Sequence, residues 1–149
     1  MRVAVVGLGA WGSMTAWRLA AAGADVVGFE AHAIGHDRGS SHGATRLYRR
    51  LCVEHEGLVP LAERSAALWR ELEDASGERL LTVTGGVSVG PADSALVRDS
   101  LAVARAAEVA HEVLDADEVR TRWPMLRVDD GAVGVVDPAA GILAAEPSL

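Results

Sequence analysis

Three glycines near the start of the chain, Gly7, Gly9 and Gly12, have the spacing GxGxxG. In a dinucleotide site the first glycine allows a sharp turn, the second lets the backbone approach a pyrophosphate, and the third lets a helix pack closely on a strand. Glu30 follows eighteen residues after Gly12, and a carboxylate there can accept hydrogen bonds from ribose hydroxyls. Its charge disfavours a 2′-phosphate. These residues predict a dinucleotide site.

A second candidate group lies in a basic segment, Arg38 to Arg50, which contains four arginines and His42 but no carboxylate. Such a cluster attracts anions such as cofactor phosphates or a substrate carboxylate. The alternative is an exposed loop whose arginines pair with acids elsewhere, and the residues alone do not decide between the two. If the segment is helical, the spacing of His42, Arg46 and Arg49 predicts that these three share one face.

The glycine motif lies between elements that could position it. An apolar run from Val3 to Val6 predicts a strand, a helix is predicted from about Ser13 to Ala22, and a second apolar run ends just before Glu30. Strand, glycine turn, helix, strand and acid in this order favour a βαβ unit over an incidental glycine pattern. The same residues resemble a secretory signal, but Arg18 interrupts its apolar region.

Composition limits the other possibilities. Half of the 149 residues are hydrophobic, which favours a packed core over disorder. Residues through Glu56 include six arginines and five acids, whereas the rest has eight arginines and sixteen acids, so a nucleic-acid partner is not expected. No apolar run is long enough for a membrane span. A single cysteine, Cys52, cannot form an internal disulfide, and we expect a reduced, cytoplasmic setting.

The remainder alternates helices and strands. The predicted elements are an amphipathic helix over Gly57 to Asp74 ended by Gly77, two short strands or one strand with a bulge in Leu80 to Gly90, a helix from Asp93 or Ser94 to about Val109 with Leu96, Val97, Leu101 and Ala104 buried, a short helix before Pro124 that begins with a capping box of Asp115 and Glu118, and strands at Ala132 to Val136 and Ile142 to Leu143. Trp69 is expected in the core. His32 and His36 flank Gly35 in a predicted loop, so no metal site is expected.

A series of segments follows along the chain: GLGAWG, GFEAH, GSSHGATRLYR, VPLAERSAALWRELE, TGGVSVG, RWPML and DPAAGIL. In this order they resemble the FAD-dependent amine and amino-acid oxidases of the monomeric sarcosine oxidase and N-methyltryptophan oxidase type. GSSHGATRLYR is the most specific segment, because a general dinucleotide fold does not require it. Trp11 is a bulky residue within the glycine turn and could crowd the helix start, and Ala44 replaces an acidic residue often found before the threonine.

The resemblance implies an α/β fold, with a Rossmann-like FAD-binding βαβ unit and the beginning of an α+β substrate domain. Residues 1–80 would be the N-terminal part of a discontinuous FAD-binding domain, and residues 81–149 would start the substrate domain. Full members of the family are longer. We therefore expect an incomplete fold that needs a further C-terminal segment.

The resemblance also implies roles for individual residues. His42 corresponds to an active-site histidine, Arg46 to an arginine against the isoalloxazine ring, and Arg49 to an arginine that holds the substrate carboxylate. The implied FAD contacts are Gly7, Gly9, Ala10, Trp11, Gly12, Glu30, Ala31, Ser40, Ser41, His42, Thr45 and Arg46.

The function implied by the resemblance is oxidation of the C–N bond of an amino acid or N-methyl amino acid, with hydride transfer to FAD and then to O2 to give H2O2. The expected partners are a small amine or amino-acid substrate and oxygen, without nucleic acid or membrane. A NAD-dependent dehydrogenase shares the βαβ unit and is one alternative. A truncated fragment that binds nucleotide weakly and has no activity alone is another.

Overall fold

Short strands and helices alternate along the whole chain. The computed structural model describes residues 1–149 and contains eight strands and four α-helices. Their bounds are β1 Arg2–Val6, α1 Ala10–Ala21, β2 Asp25–Phe29, β3 Thr45–Tyr48, α2 Val59–Ser76, β4 Leu81–Val83, β5 Gly86–Pro91, α3 Ala95–Ala106, β6 Glu112–Leu114, α4 Ala116–Arg122, β7 Ala132–Asp137 and β8 Gly141–Ala144. Single 3₁₀ turns occupy Glu56–Leu58 and Glu146–Ser148.

The chain divides into two compact units. One consists of Met1–Arg46 together with Leu143–Leu149, and the other is Leu47–Ile142. The boundary therefore falls between Arg46 and Leu47, whereas the sequence suggested a change of domain after residue 80. The assignment of residues 1–80 and 81–149 to a cofactor domain and a substrate domain stays a prediction.

The first unit contains the expected βαβ arrangement. β1 and β2 are parallel neighbours, with Arg2 opposite Asp25 and Val6 opposite Phe29, and α1 connects them. The helix begins at Ala10, earlier than the predicted start at Ser13, and its first turn already includes Gly12, the last glycine of the motif. The fold class predicted from the sequence is confirmed in this unit.

The second unit has an antiparallel sheet in the order β5-β7-β6. α3 and α4 both pack against β7, and a Cβ on Gly134 of β7 would lie 2.7 Å from Val119 of α4. Glycine thus permits the close approach of that helix to the sheet. The core of this unit is a cluster of buried residues: Leu51, Val59, Val97, Val103, Ala104, Val109 and Val135.

Several elements predicted in this unit are confirmed, and their ends have clear causes. α2 ends at Gly77, which adopts a left-handed conformation with φ of 76°. α3 is capped by Ser94 and ends before the predicted Val109, because Glu108 takes a positive φ of 52°. Asp115 and Glu118 form the expected capping box at the start of α4.

Two expectations about side chains are wrong, and the condition for a shared helical face in the basic segment is not met. Leu96 is 41% exposed rather than buried in the core, and Trp69 is only half-buried. The segment after Gly43 is not helical, because Thr45–Tyr48 forms β3 in a sheet of order β3-β8-β4. Arg46 lies within this strand and Arg49 follows it, so the predicted shared helical face does not exist.

None of the four α-helices combines the length and the apolar character that crossing a membrane requires.

Candidate functional site

The glycine turn between β1 and α1 has the geometry that each glycine requires. Gly7 has a φ of 86°, a conformation that favours glycine, and its N–H donates to the carbonyl of Phe29 at 2.7 Å. A Cβ on Gly12 would lie 1.7 Å from the carbonyl oxygen of Gly7. No side chain fits there, so the turn and the helix start can approach only because residue 12 is glycine.

The amino end of α1 is capped from a distant loop. Gly9 is the N-cap residue and makes no side-chain cap, so the first amides of the helix depend on other acceptors. The N–H of Ala10 donates to the Ser41 hydroxyl at 3.0 Å, across 31 positions of sequence. A helix start of this kind attracts anions, because its N–H groups and its dipole point the same way.

Glu30 at the end of β2 faces this turn and is fixed by backbone donors. Its Oε2 accepts from the N–H of Leu8 at 2.7 Å, and its Oε1 accepts from the N–H of Ala31 at 2.7 Å and from that of His32 at 3.3 Å. The bond from Leu8 contributes most to lowering the pKa of Glu30 below its ordinary value. The side chain is thus held as a carboxylate, the form that accepts from ribose hydroxyls.

These groups line one cleft of about 500 Å³ within the first unit. Trp11 lines it and is 91% exposed, so it does not crowd the helix start as the sequence suggested. A group of the predicted cofactor contacts lines this cleft together: Gly7, Gly9, Ala10, Trp11, Gly12, Glu30, Ser40 and Ser41. The remaining predicted residues, Ala31, His42, Thr45, Arg46 and Arg49, are not part of its wall.

Arg46 organises the backbone of its own loop. Its Nε donates to the carbonyl of Ser40 at 3.2 Å and its Nη1 to that of Thr45 at 2.8 Å, while Nη2 donates to the carbonyls of Ser40 and His42. The ring of His42 contacts the carbonyl of Gly39 through Nδ1. Arg46 and His42 therefore serve in this structure to shape the loop that carries Ser40 and Ser41 to the cleft.

Arg49 belongs to the second unit and is paired with an acid. Its Nη2 lies 2.9 Å from Oε1 of Glu54, and both side chains are about half exposed. This hydrogen bond is the main reason why the pKa of Glu54 is lowered and that of Arg49 is raised. The guanidinium group of Arg49 is therefore paired with the Glu54 carboxylate. Another carboxylate could take the place of Glu54, because the pair is partly exposed.

Two residues of the site escaped the sequence analysis. The N–H of Leu8 is bound by Glu30, and His36 lines the cleft with Nε2 at 3.4 Å from Oε1 of the same carboxylate. Leu8 acts through its backbone, so its side-chain type carried no signal. His36 was considered only as a metal ligand paired with His32, and its contact with Glu30 depends on the path of a loop that has no periodicity.

The cleft fits the diphosphate and ribose of a dinucleotide, because it combines a helix start, a glycine that leaves the backbone open at residue 9, and an ionised acceptor. The comparison with protein families then decides to which class of protein the chain belongs. The model of the FAD dependent oxidoreductase family, DAO, matches residues 2–147. This chain belongs to that family.

The chain is similar in sequence to oxidases of N-methyl amino acids. It is 42% identical over 144 residues to a monomeric sarcosine oxidase from Streptomyces avermitilis, with 97% of this chain and 38% of the relative covered. It is 37% identical over 145 residues to an N-methyl-L-tryptophan oxidase from Salmonella arizonae, with 97% and 39% covered. The chain thus spans about two fifths of the length of these relatives, which agrees with the expectation of an incomplete fold.

A solved structure gives the same result for the fold. The chain matches the open form of NikD with a TM-score of 0.85 and 28% sequence identity. NikD is described as an unusual amino acid oxidase essential for nikkomycin biosynthesis. The match covers 97% of this chain and 38% of that one. The resemblance to amino-acid oxidases found in the sequence is therefore confirmed for the family and the fold.

Proposed function

We propose that this chain binds the adenosine diphosphate half of FAD and belongs to a flavin-dependent oxidoreductase that oxidises the C–N bond of an amino acid or N-methyl amino acid. One observation carries the first part: the glycine turn, the start of α1 and the Glu30 carboxylate line a single cleft. The family match and the similarity to two oxidases of N-methyl amino acids support the second part.

Each wall of the cleft has its own task in this proposal. Gly7, Gly9 and Gly12 allow the backbone to approach the pyrophosphate, and the amides at Ala10 and Trp11 lie at the positive end of α1. The Glu30 carboxylate, supported by the N–H of Ala31, accepts from the ribose hydroxyls. Ser40 and Ser41 line the opposite loop, where a hydroxyl already accepts from the helix start.

The basic segment supplies the remaining roles. His42, Thr45 and Arg46 would follow the cofactor toward its flavin end, with Arg46 also holding the loop through its carbonyl contacts. Arg49 would exchange Glu54 for the carboxylate of the substrate, because both partners are carboxylates and the present pair is partly exposed. These roles rest on the resemblance to the oxidases, whereas the cleft rests on contacts within the chain.

FAD, when bound, supplies the two-electron redox chemistry of the reaction. The task of these residues is to bind and orient: Arg49 would fix the substrate by its carboxylate, which limits the orientations of the C–N bond. Oxygen would be the final acceptor and would yield H2O2. We expect the 149-residue chain alone to be inactive, because Arg49 is its only implied contact with the substrate.

Titration of the 149-residue chain with FAD, ADP and FMN by calorimetry tests the proposal. We expect FAD and ADP to bind with micromolar affinity and to compete, whereas FMN, which lacks the adenosine and one of the two phosphates, should not compete. Glu30→Gln should weaken ADP binding about tenfold, since it removes an ionised acceptor. The same substitution at the exposed Glu78 should leave binding unchanged.

Two results would contradict this proposal. Binding of FMN as tight as that of ADP would mean that the cleft does not recognise the adenosine diphosphate half. Binding of NAD much tighter than that of FAD would favour a dehydrogenase instead. A folded chain that binds none of these nucleotides would refute the site itself.

A further inference from the structure

His36 lies in the loop that follows β2, and its ring is held in place from two sides. The N–H of Arg38 donates to Nδ1 at 3.0 Å, and the ring of His32 meets it edge to face with 4.9 Å between centroids. The side chain is only 22% exposed although the surrounding loop is open. The orientation of this imidazole is therefore fixed by its neighbours.

The hydrogen bond from Arg38 also defines where the ring proton is. A nitrogen that accepts a hydrogen bond carries no proton, so Nδ1 is bare and the ring proton of His36 is on Nε2. Nε2 lies 3.4 Å from Oε1 of Glu30, whose side chain is 13% exposed. The Nε2 edge of the His36 ring thus lies next to one particular oxygen of the carboxylate.

The two oxygens of Glu30 consequently have different surroundings. Oε1 faces the N–H groups of Ala31 and His32 and the ring of His36, whereas Oε2 accepts only from the N–H of Leu8 among these contacts. A carboxylate oxygen can accept two hydrogen bonds. Oε2 therefore keeps capacity for a hydroxyl, while Oε1 is occupied by protein donors.

We propose that His36 is a positioning residue for nucleotide recognition: its Nε2–H anchors Oε1 of Glu30 so that Oε2 is presented to a ribose hydroxyl. This inference rests on the proposed adenosine diphosphate site and adds the residue that sets its selectivity for an unmodified ribose. Its ligand class is a nucleoside diphosphate, alone or as half of a dinucleotide. Loss of Nε2–H should weaken recognition of the ribose without weakening that of the diphosphate.

A matched pair of substitutions separates this role from a purely structural one. His36→Asn retains a polar atom near Nδ1, which can still accept from Arg38, but it removes the group at Nε2. His36→Gln places an amide N–H near the position of Nε2 but removes the acceptor at Nδ1. A positioning role through Nε2 predicts rescue by Gln, whereas a structural role through the loop predicts rescue by Asn.

The measurement is the affinity of the 149-residue chain for ADP and for 2′,3′-dideoxy-ADP by calorimetry. Because a hydrogen bond to a carboxylate is strong, the wild-type chain should prefer ADP by about tenfold or more. We expect the preference to fall to about twofold in His36→Asn, through weaker ADP binding alone, and to remain close to the wild-type value in His36→Gln. Circular dichroism of each variant verifies folding.

The outcomes distinguish the two proposals. If the wild-type chain binds neither nucleotide, the adenosine diphosphate site is refuted and the role of His36 with it. If the wild-type chain prefers ADP and His36→Asn keeps that preference, only the role of His36 is refuted. An equal loss for both nucleotides in His36→Asn, or rescue by Asn instead of Gln, would also overturn it.

Discussion

The carboxylate of Glu30 accepts a hydrogen bond from the N–H of Leu8, with 2.7 Å between Oε2 and the nitrogen. This bond joins the end of β2 to the glycine turn after β1, so the acid and the backbone of that turn are held in one arrangement. It favours the ionised form of the side chain, and it is the main reason that the pKa of Glu30 is lowered from 4.5. The carboxylate that is proposed to accept from the ribose is thus also a structural contact between β2 and the glycine turn.

Glu30 should make the stability of the chain depend on pH in the acid range. Because its pKa is lower in the folded chain than in the unfolded chain, its contribution is fully present above about pH 4.5 and is lost as the pH falls through the folded value. Thermal unfolding followed between pH 3 and pH 7, roughly the range over which carboxyl groups titrate, should show a smaller acid destabilisation in Glu30→Gln. Glu78→Gln should behave as the wild-type chain, and equal acid dependence in both variants would contradict the assignment.

Gly9 and Gly12 should respond differently to alanine. At Gly12 the new Cβ would lie 1.7 Å from the carbonyl of Gly7, so Gly12→Ala should cost about 3 kcal/mol or more in unfolding free energy. At Gly9 the Cβ would lie 3.4 Å from the Ser41 hydroxyl, an ordinary contact. Gly9→Ala should therefore unfold as the wild-type chain in urea but bind ADP more weakly, and a large loss of stability at Gly9 would refute this distinction.

Local sequence patterns predicted the ends of helices correctly where the stabilising interactions are themselves local. The capping box at Asp115 and the glycine end of α2 at Gly77 involve residues within one turn, and the sequence predicted both. β3 was missed because its partner β8 lies almost one hundred residues later, and a strand is defined by its neighbour as much as by its own residues. The spacing of His42, Arg46 and Arg49 would have placed them on one face only in a helix, and the segment is a strand instead.

The same difference between sequence motifs and irregular loops applies to the candidate site. Gly7, Gly9, Gly12 and Glu30 belong to a motif whose spacing implies their meeting in space, and they line the cleft. The contact of His36 with Glu30 could not be predicted, because it depends on the path of a loop that has no periodicity. The predicted position of Arg46 against the flavin ring stays a prediction, and its guanidinium group donates to loop carbonyls in this structure.

Ser41 should stabilise the start of α1. Its hydroxyl accepts from the N–H of Ala10 at 3.0 Å, a capping contact that Gly9 cannot provide. Loss of a helix cap costs about 1 kcal/mol, so Ser41→Ala should lower the unfolding free energy in urea by about that amount. Ser40→Ala is the matched control, because Ser40 makes its contact with Arg46 through the backbone carbonyl. Equal destabilisation by both substitutions would contradict the capping role.

Asp137 should be the most important single carboxylate for the stability of the second unit. Its side chain is 8% exposed and accepts from the N–H groups of Arg50 and Leu51 at 2.9 and 3.0 Å and from that of Ala139 at 3.0 Å. Asp137→Ala would leave these partly or fully buried donors without their acceptor and would remove the carboxylate paired with Arg50, whose guanidinium would keep only the carbonyl of Ala110, at a cost of about 3–5 kcal/mol. Urea unfolding monitored by circular dichroism measures this loss. Asp130→Ala, at a side chain 98% exposed, should leave the midpoint unchanged, and similar midpoints for the two variants would show that the buried carboxylate does not hold this unit together.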